Sequence, residues 1–298
     1  MENPRMQVIR KDRAYTQESI SICFYFSRST TEISGPATLA LRKFLETTGK
    51  QTFTHYAHED GEWRDLDAAE WESIRAKLLR PIRTHVALTD DRPHPDKYEF
   101  NYDGKDLHNQ TFRHYPGAVT AVQFILPTAW LKTHGPQRIR DLALTLAALL
   151  PFNSGHVGLS ATGFLDGATI MKDLVPQLLQ HPGVDVLDLQ RTAYEVGTRL
   201  RVPHWMTFIG DPALSEMGGT DFLRSQLHTP GTTVESLDAS RAVVTLGPAP
   251  EPGGPDQPLP AYRELARVLE PWAFHPPNGP PGFPAATFQQ WDRRFLDD

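Results

Sequence analysis

The chain has 298 residues, 39% hydrophobic and 22% charged, enough to bury a core without disulfide or metal staples. Its net charge of −6 argues against a general nucleic-acid binder, which presents a basic field to phosphates. A single cysteine, Cys23, excludes an intrachain disulfide and a cysteine-based zinc framework.

The start, MENPRMQVIRKDR, lacks the apolar segment of a secretory signal. Ile20, Ile22, Phe24 and Phe26 then alternate with Ser21, Cys23 and Tyr25, the period of a strand. Gly35-Pro36 is expected to open a helix over ATLALRKFLETTGK. TFTHYA follows as a strand, and DAAEWESIRAKLLR as a helix with Trp71, Ile74 and Leu78 on one face. THVALTD and KYEFNYDG are strands separated by the turn chemistry of DDRPHPD.

GAVTAVQFIL is the next strand, and Gly135-Pro136 opens the helix QRIRDLALTLAALL. The apolar run Leu142 to Phe152 is about half of the ~20 residues that span a bilayer. A cytoplasmic, reducing location without membrane contact is therefore expected. GHVGLSA and HWMTFIG are strands, FLRSQL is a short helix, and TTVESLD with RAVVTLG forms a hairpin. The Pro/Gly connector GPAPEPGGPDQPLP precedes the helix AYRELARVLEPW. The closing ATFQQWDRRFLD places Phe288, Trp291 and Phe295 on one helical face, which docks the terminus on the body.

Several strand pairs lack a long crossover. The expected class is therefore α+β, with mixed or largely antiparallel sheets and packed helices. Phe24 and Gly35-Pro36 share their spacing with Phe124 and Gly135-Pro136, which is consistent with a duplicated strand–helix–strand unit. One compact domain over 1–298 is expected, with two similar lobes, 1–115 and 116–298, as the alternative organisation.

Three arrangements invite a catalytic reading. His55 and His58 are three apart, but residues so spaced in a strand point to opposite faces, and the neighbouring acids follow the pair instead of standing inside it. His108 and His114 fit no standard ligand spacing. Gly158, Ser160 and Gly163, with His156 nearby, approach a nucleophile elbow, yet Thr162 stands where the second glycine belongs. No Gly-rich phosphate loop is present. The residues thus point to a protein that is not an enzyme and has no cofactor.

Charge is concentrated instead. From Ala57 to Asp106 there are thirteen acidic and eight basic side chains, which accounts for −5 of the net −6. Asp67, Glu70, Glu72, Lys77 and Arg80 have a helix-capping and dipole explanation. Glu59, Asp60, Glu62 and Asp65 do not, and Trp63 and Tyr98 are interleaved with them. With Asp90, Asp91 and Asp96 of the following loop, these residues form a candidate docking surface for a basic protein, or equally a solvated acidic face.

LPTAWLKTHGPQRIRDLALTLAALLPFNSGHVGLS (126–160), VGTRLRVPHWMTFIG (196–210), LPAYRELARVLEPW (259–272) and the closing WDRRFLD resemble the type VI secretion immunity family of TsiV-like proteins, as does FYFSRS near the start. The resemblance implies a non-catalytic protein, made beside a toxic effector that is often a nuclease. It implies neutralisation by binding the toxin and occluding its active or DNA-binding site. It marks no binding face, and residues 57–116 carry little of it. The expected partner is a cognate secreted effector, most simply a nuclease, with no direct nucleic-acid contact. Two other readings stay open: a metal-dependent hydrolase using the His55/His58 region, and a non-catalytic interaction scaffold.

Overall fold

In the computed structural model, residues 6–90, 97–165, 167–201 and 203–297 are described. A small hairpin of β1 (Ile9–Arg10) and β2 (Arg13–Ala14) leads into the long strand β3 (Thr16–Phe26). Helix α1 (Thr30–Thr48) follows, then the short strands β4 (His55–Ala57) and β5 (Trp63–Asp65), helix α2 (Ala68–Leu78), and strands β6 (Arg83–Thr89) and β7 (Glu99–Lys105). Next come β8 (Thr120–Pro127), α3 (Thr128–Leu149), β9 (Ser154–Gly163), α4 (Ala168–Gln180), β10 (Val184–Val186) and α5 (Leu189–Glu195). The chain continues through β11 (Met206–Gly210), α6 (Ala213–Glu216), α7 (Gly219–Gln226), β12 (Thr232–Ser236) and β13 (Arg241–Leu246). It closes with α8 (Pro260–Leu269) and α9 (Ala285–Asp292).

The architecture is α+β. The main sheet has the order β12-β13-β11-β9-β3-β8-β7-β6-β4-β5, with β10 continuing the β11 side of β9. Every pairing in it among the described residues is antiparallel except β9–β10. β3 lies between β8 and β9, so strands from early and late in the chain alternate at the centre.

β3 is buried on both sides, and its alternation separates two chemistries. Ile20, Ile22, Phe24 and Phe26 join one large apolar core with Ile33, Ala37 and Phe44 of α1 and with Ile139, Leu142 and Leu146 of α3. Phe44 stacks on Phe124 at 4.9 Å between ring centroids, and Phe24 meets Phe208 at 5.1 Å. The terminal stripe of Phe288, Trp291 and Phe295 is buried in the same core. On the opposite face, Cys23 and Tyr25 pack in a smaller cluster with Leu187, Leu189 and Ala193 around α5.

One helix boundary departs from expectation. Gly35-Pro36 lies inside α1, because the Ser29 N–H donates to the Glu32 carboxylate at 3.0 Å and starts the helix earlier. Pro36 forfeits one backbone donor there. At the second Gly-Pro, Gly135 has φ 78° and ψ 165°, a conformation open to glycine, and the helix resumes at Pro136 as expected.

A buried ionic network pins the C-terminal segment to the polar side of the sheet. The Asp185 carboxylate, on β10, accepts from the Arg201 guanidinium and from His204 Nε2 at 3.0 Å, with Arg294 at 3.8 Å. Burial alone would raise the Asp185 pKa, but Arg201, His204 and Arg294 hold it well below the usual carboxylate range. Arg294 also lies over the Trp291 ring at 3.8 Å and donates to the Pro182 carbonyl at 2.7 Å. His156 stacks on His204 with centroids 4.0 Å apart; burial lowers the pKa of both rings, which are neutral near pH 7.

Two predictions concern stability. Asp185→Asn removes the counter-charge of buried guanidinium groups and is expected to cost about 3–5 kcal/mol in a denaturant titration; a loss below ~1 kcal/mol contradicts the network's role. Glu18, only 2% exposed, has both carboxylate oxygens without a hydrogen-bond partner among the described residues, and burial, partly offset by Lys132, pushes its pKa up to about 8. The unfolded carboxyl ionises above about 4.5 while the folded one keeps its proton to about 8, so this group removes stability as pH rises through that window. Glu18→Gln should therefore raise the melting temperature at pH 8 and leave it nearly unchanged at pH 4.5; an equal shift at both values contradicts the assignment.

Candidate functional site

The acidic stretch folds into the β4–β5 hairpin at one end of the sheet. Its register pairs His55 with Asp65, Tyr56 with Arg64 and Ala57 with Trp63, and β4 pairs onward with β6. Tyr56 points into the large apolar core. Alternation therefore turns His55, Ala57, Trp63 and Asp65 to the polar side of the sheet. The turn closes through the His58 N–H to the Glu62 carbonyl at 2.9 Å, with Gly61 at φ 87°.

Most of the acid in this turn meets a base of its own. Glu59 pairs with Arg80, just beyond α2, at 2.6 Å. The Asp60 carboxylate accepts the Glu62 N–H at 3.0 Å and faces His58 Nδ1 at 2.9 Å and the Arg64 guanidinium. These contacts, led by the Glu62 N–H, hold the Asp60 pKa down to about 2. Asp65 lies 3.1 Å from His55 Nε2. Glu62 is exposed and makes no ion pair among the described residues. Three of the hairpin's four carboxylates are thus engaged locally, although the net −5 of residues 57–106 stands, because Arg64 and Arg80 already belong to that count.

Asp90 and Tyr98 flank the β6–β7 connection, where the Asp90 N–H reaches the Tyr98 carbonyl at 3.4 Å and Thr54 of the hairpin arm donates to the Asp90 carbonyl. The structure thus brings the hairpin, Asp90 and Tyr98 to one corner of the sheet. Asp91 and Asp96 lie outside the described residues.

Beside this corner a cleft of about 380 Å³ opens on the polar face of the sheet. Trp63, His85, Glu99, Asn101 and Gln123 line its floor, and the end of β9 and the start of α5 its walls. Asn101 Nδ2 donates to Glu99 Oε1 at 2.7 Å and to Gln123 Oε1 at 3.1 Å, which orients the carboxylate. Burial lowers the His85 pKa, so this ring is neutral near pH 7. On the wall, Asp188 caps α5 by accepting the Arg191 N–H at 2.9 Å. The cleft mixes polar and apolar groups, with the Glu99 carboxylate on its floor, Asp188 on its wall, and Ile125, Leu165, Leu187 and Leu189 among its apolar lining.

The catalytic readings find no shared geometry. His55 and His58 each pair with a different carboxylate of the hairpin. His108 and His114 are exposed on a loop. Ser160 lies mid-strand in β9, its hydroxyl bonded to that of Ser21, not on a strand-to-helix turn.

A cluster that sequence reasoning missed is His156, Asp185 and His204, whose potential ligand atoms lie within 4.8 Å of one another. The two imidazole planes are only 19° apart, so their in-plane lone pairs run side by side instead of converging. Asp185 is already engaged by Arg201 and His204. This donor set fits a salt-bridged anchor, not a metal cradle.

Comparisons with known proteins agree with this fold. The solved structure of the Pseudomonas aeruginosa T6SS protein PA0821 superposes with a TM-score of 0.80 at 16% sequence identity, covering 99% of this chain and 88% of that one. No curated protein sequence matches. The profile described as type VI immunity for VRR-NUC, TsiV, matches residues 38–295, and so the chain belongs to the TsiV family of type VI immunity proteins.

Proposed function

We propose that this protein neutralises a cognate type VI effector, a nuclease of the VRR-Nuc class, by binding it stoichiometrically and covering its active or DNA-binding surface. Membership of an immunity family named for that nuclease class is the observation that carries the reading. The cleft with Glu99 and Asp188, bordered by Gly61 and Trp63 of the hairpin, supports a place for the contact. A nuclease presents basic side chains and bound metal to phosphates, and carboxylates offered to that surface compete with DNA.

The docking surface we propose comprises Glu59, Asp60, Glu62, Trp63, Asp65, Asp90 and Tyr98. Their energetic weights differ. Glu59, Asp60 and Asp65 must exchange internal partners to reach a new cation, whereas Glu62 has no ion pair to exchange among the described residues. Among the described residues, no helix is long and apolar enough to cross a membrane. We place the protein in the cytoplasm, where an incoming nuclease would meet DNA. We also read the chain as one folding unit, since β3 lies between two strands of the later half.

DNA degradation by the purified effector, titrated with this protein, is the direct test. Activity should disappear at a stoichiometric ratio, with a complex on a sizing column; undiminished cleavage without a complex refutes the proposal. Glu62→Lys should slow association and flatten its salt dependence while leaving the melting temperature unchanged.

A further inference from the structure

Trp63 and Glu99 stand on strands that are not neighbours, since β4 and β6 separate β5 from β7. One side chain bridges them. The Lys97 ammonium lies 5.5 Å from the Trp63 ring centroid and 3.0 Å from Glu99 Oε2. The lysine and glutamate side chains are only 11% and 18% exposed, so this is a part-buried contact, not a surface pair screened by water. Glu99 is fixed from behind by Asn101, itself braced on Gln123.

An aromatic face and an oriented carboxylate are the two components of a cation receptor. Both line the open cleft. Among the described residues no second cation lies on its floor, because His85 is neutral near pH 7, and Asp188 adds a carboxylate on the far wall. The receptor thus faces an open space beside the ammonium that it now holds.

We propose that the Trp63–Glu99 pair is a receptor for an arginine side chain of the effector, and that Lys97 is an internal stand-in which the arginine displaces. This rests on the reading that the partner is a basic nuclease. A planar guanidinium stacks on an indole and binds a carboxylate through two donors, whereas an ammonium acts as a point charge. The exchange leaves Glu99 neutralised before and after binding, and the displaced Lys97 gains solvent. Neither state then holds an unpaired, part-buried carboxylate, which a simple vacant site would have to tolerate. Competition from Lys97 lowers the apparent affinity for a lone cation, so a partner must supply further contacts to displace it.

The proposal and a purely structural role for Lys97 predict opposite signs. The probe is the capped peptide Gly-Arg-Gly, with Gly-Lys-Gly and Gly-citrulline-Gly as controls, followed by the Trp63 indole NMR resonance assigned with Trp63→Phe. Lys97→Met keeps the packed stem and removes the charge. It should bind the arginine peptide roughly tenfold more tightly than the wild type. Adding Glu99→Gln should abolish that gain, and citrulline should not bind. With the intact effector, Lys97→Met should slow dissociation, while Glu99→Gln and Trp63→Phe should each accelerate it. Weaker peptide binding by Lys97→Met, or effector kinetics indifferent to all three substitutions, overturns the receptor. If the kinetics are indifferent but the effector is still neutralised, the immunity reading stands and only the receptor fails. If the wild type forms no complex with the effector while Lys97→Met binds the arginine peptide, the immunity reading and the effector as the arginine's source both fail, and only the guanidinium site itself stands.

Discussion

The structure depends on β3 being covered on both faces. A strand with Ile20, Ile22, Phe24 and Phe26 on one side requires a helical layer there, which α1 and α3 provide. Its other side presents Ser19, Ser21, Cys23 and Tyr25, all buried. The Ser19 and Ser21 hydroxyls there find partners across the ladder, Ser19 with Thr162 and Ser21 with Ser160. The cover on that side is built from α5 and the segment around Phe274, which pack an apolar cluster there, and the Asp185 ionic contacts add to that hold. The cleft opens where this cover stops short of the sheet's end, so the same constraint that buries β3 leaves Trp63 and Glu99 reachable.

Much of the fold is legible in the sequence because strand and helix periods are clean at the centre. β3, β8 and the α2 run with Ile74 and Leu78 buried follow their patterns, and Phe288, Trp291 and Phe295 pack as their spacing requires. The region from α4 to α5 is harder. β10 is three residues long, too short to show a period, and Pro176 interrupts an otherwise amphipathic α4. The Asp185 anchor joins residues far apart in the chain, which no local spacing reveals. At the candidate site, counting charge located the hairpin but could not show that Arg80, Arg64 and His55 fold back onto its acids. Lys97 and Glu99, part of the same charge count, gain meaning only when the sheet brings them beside Trp63.

On the proposed reading, such pairing suits an inhibitor that must stay inert without its toxin. A hairpin of unpaired carboxylates would attract any basic surface, whereas paired ones yield only to a partner whose geometry improves on the internal contacts. On the proposed docking surface, Trp63 would add an aromatic anchor of the kind that concentrates binding energy, set beside polar groups already held in place. Affinity on this account comes from exchanging good internal contacts for better external ones.

The most direct test of where this immunity protein meets its partner is amide hydrogen exchange on the protein alone and in complex with its cognate effector. The account predicts added protection concentrated in the β4–β5 hairpin and the first residues of β7. Protection confined to the helical side, at the groove of about 690 Å³ between α1 and α2, with the hairpin unchanged, would contradict it.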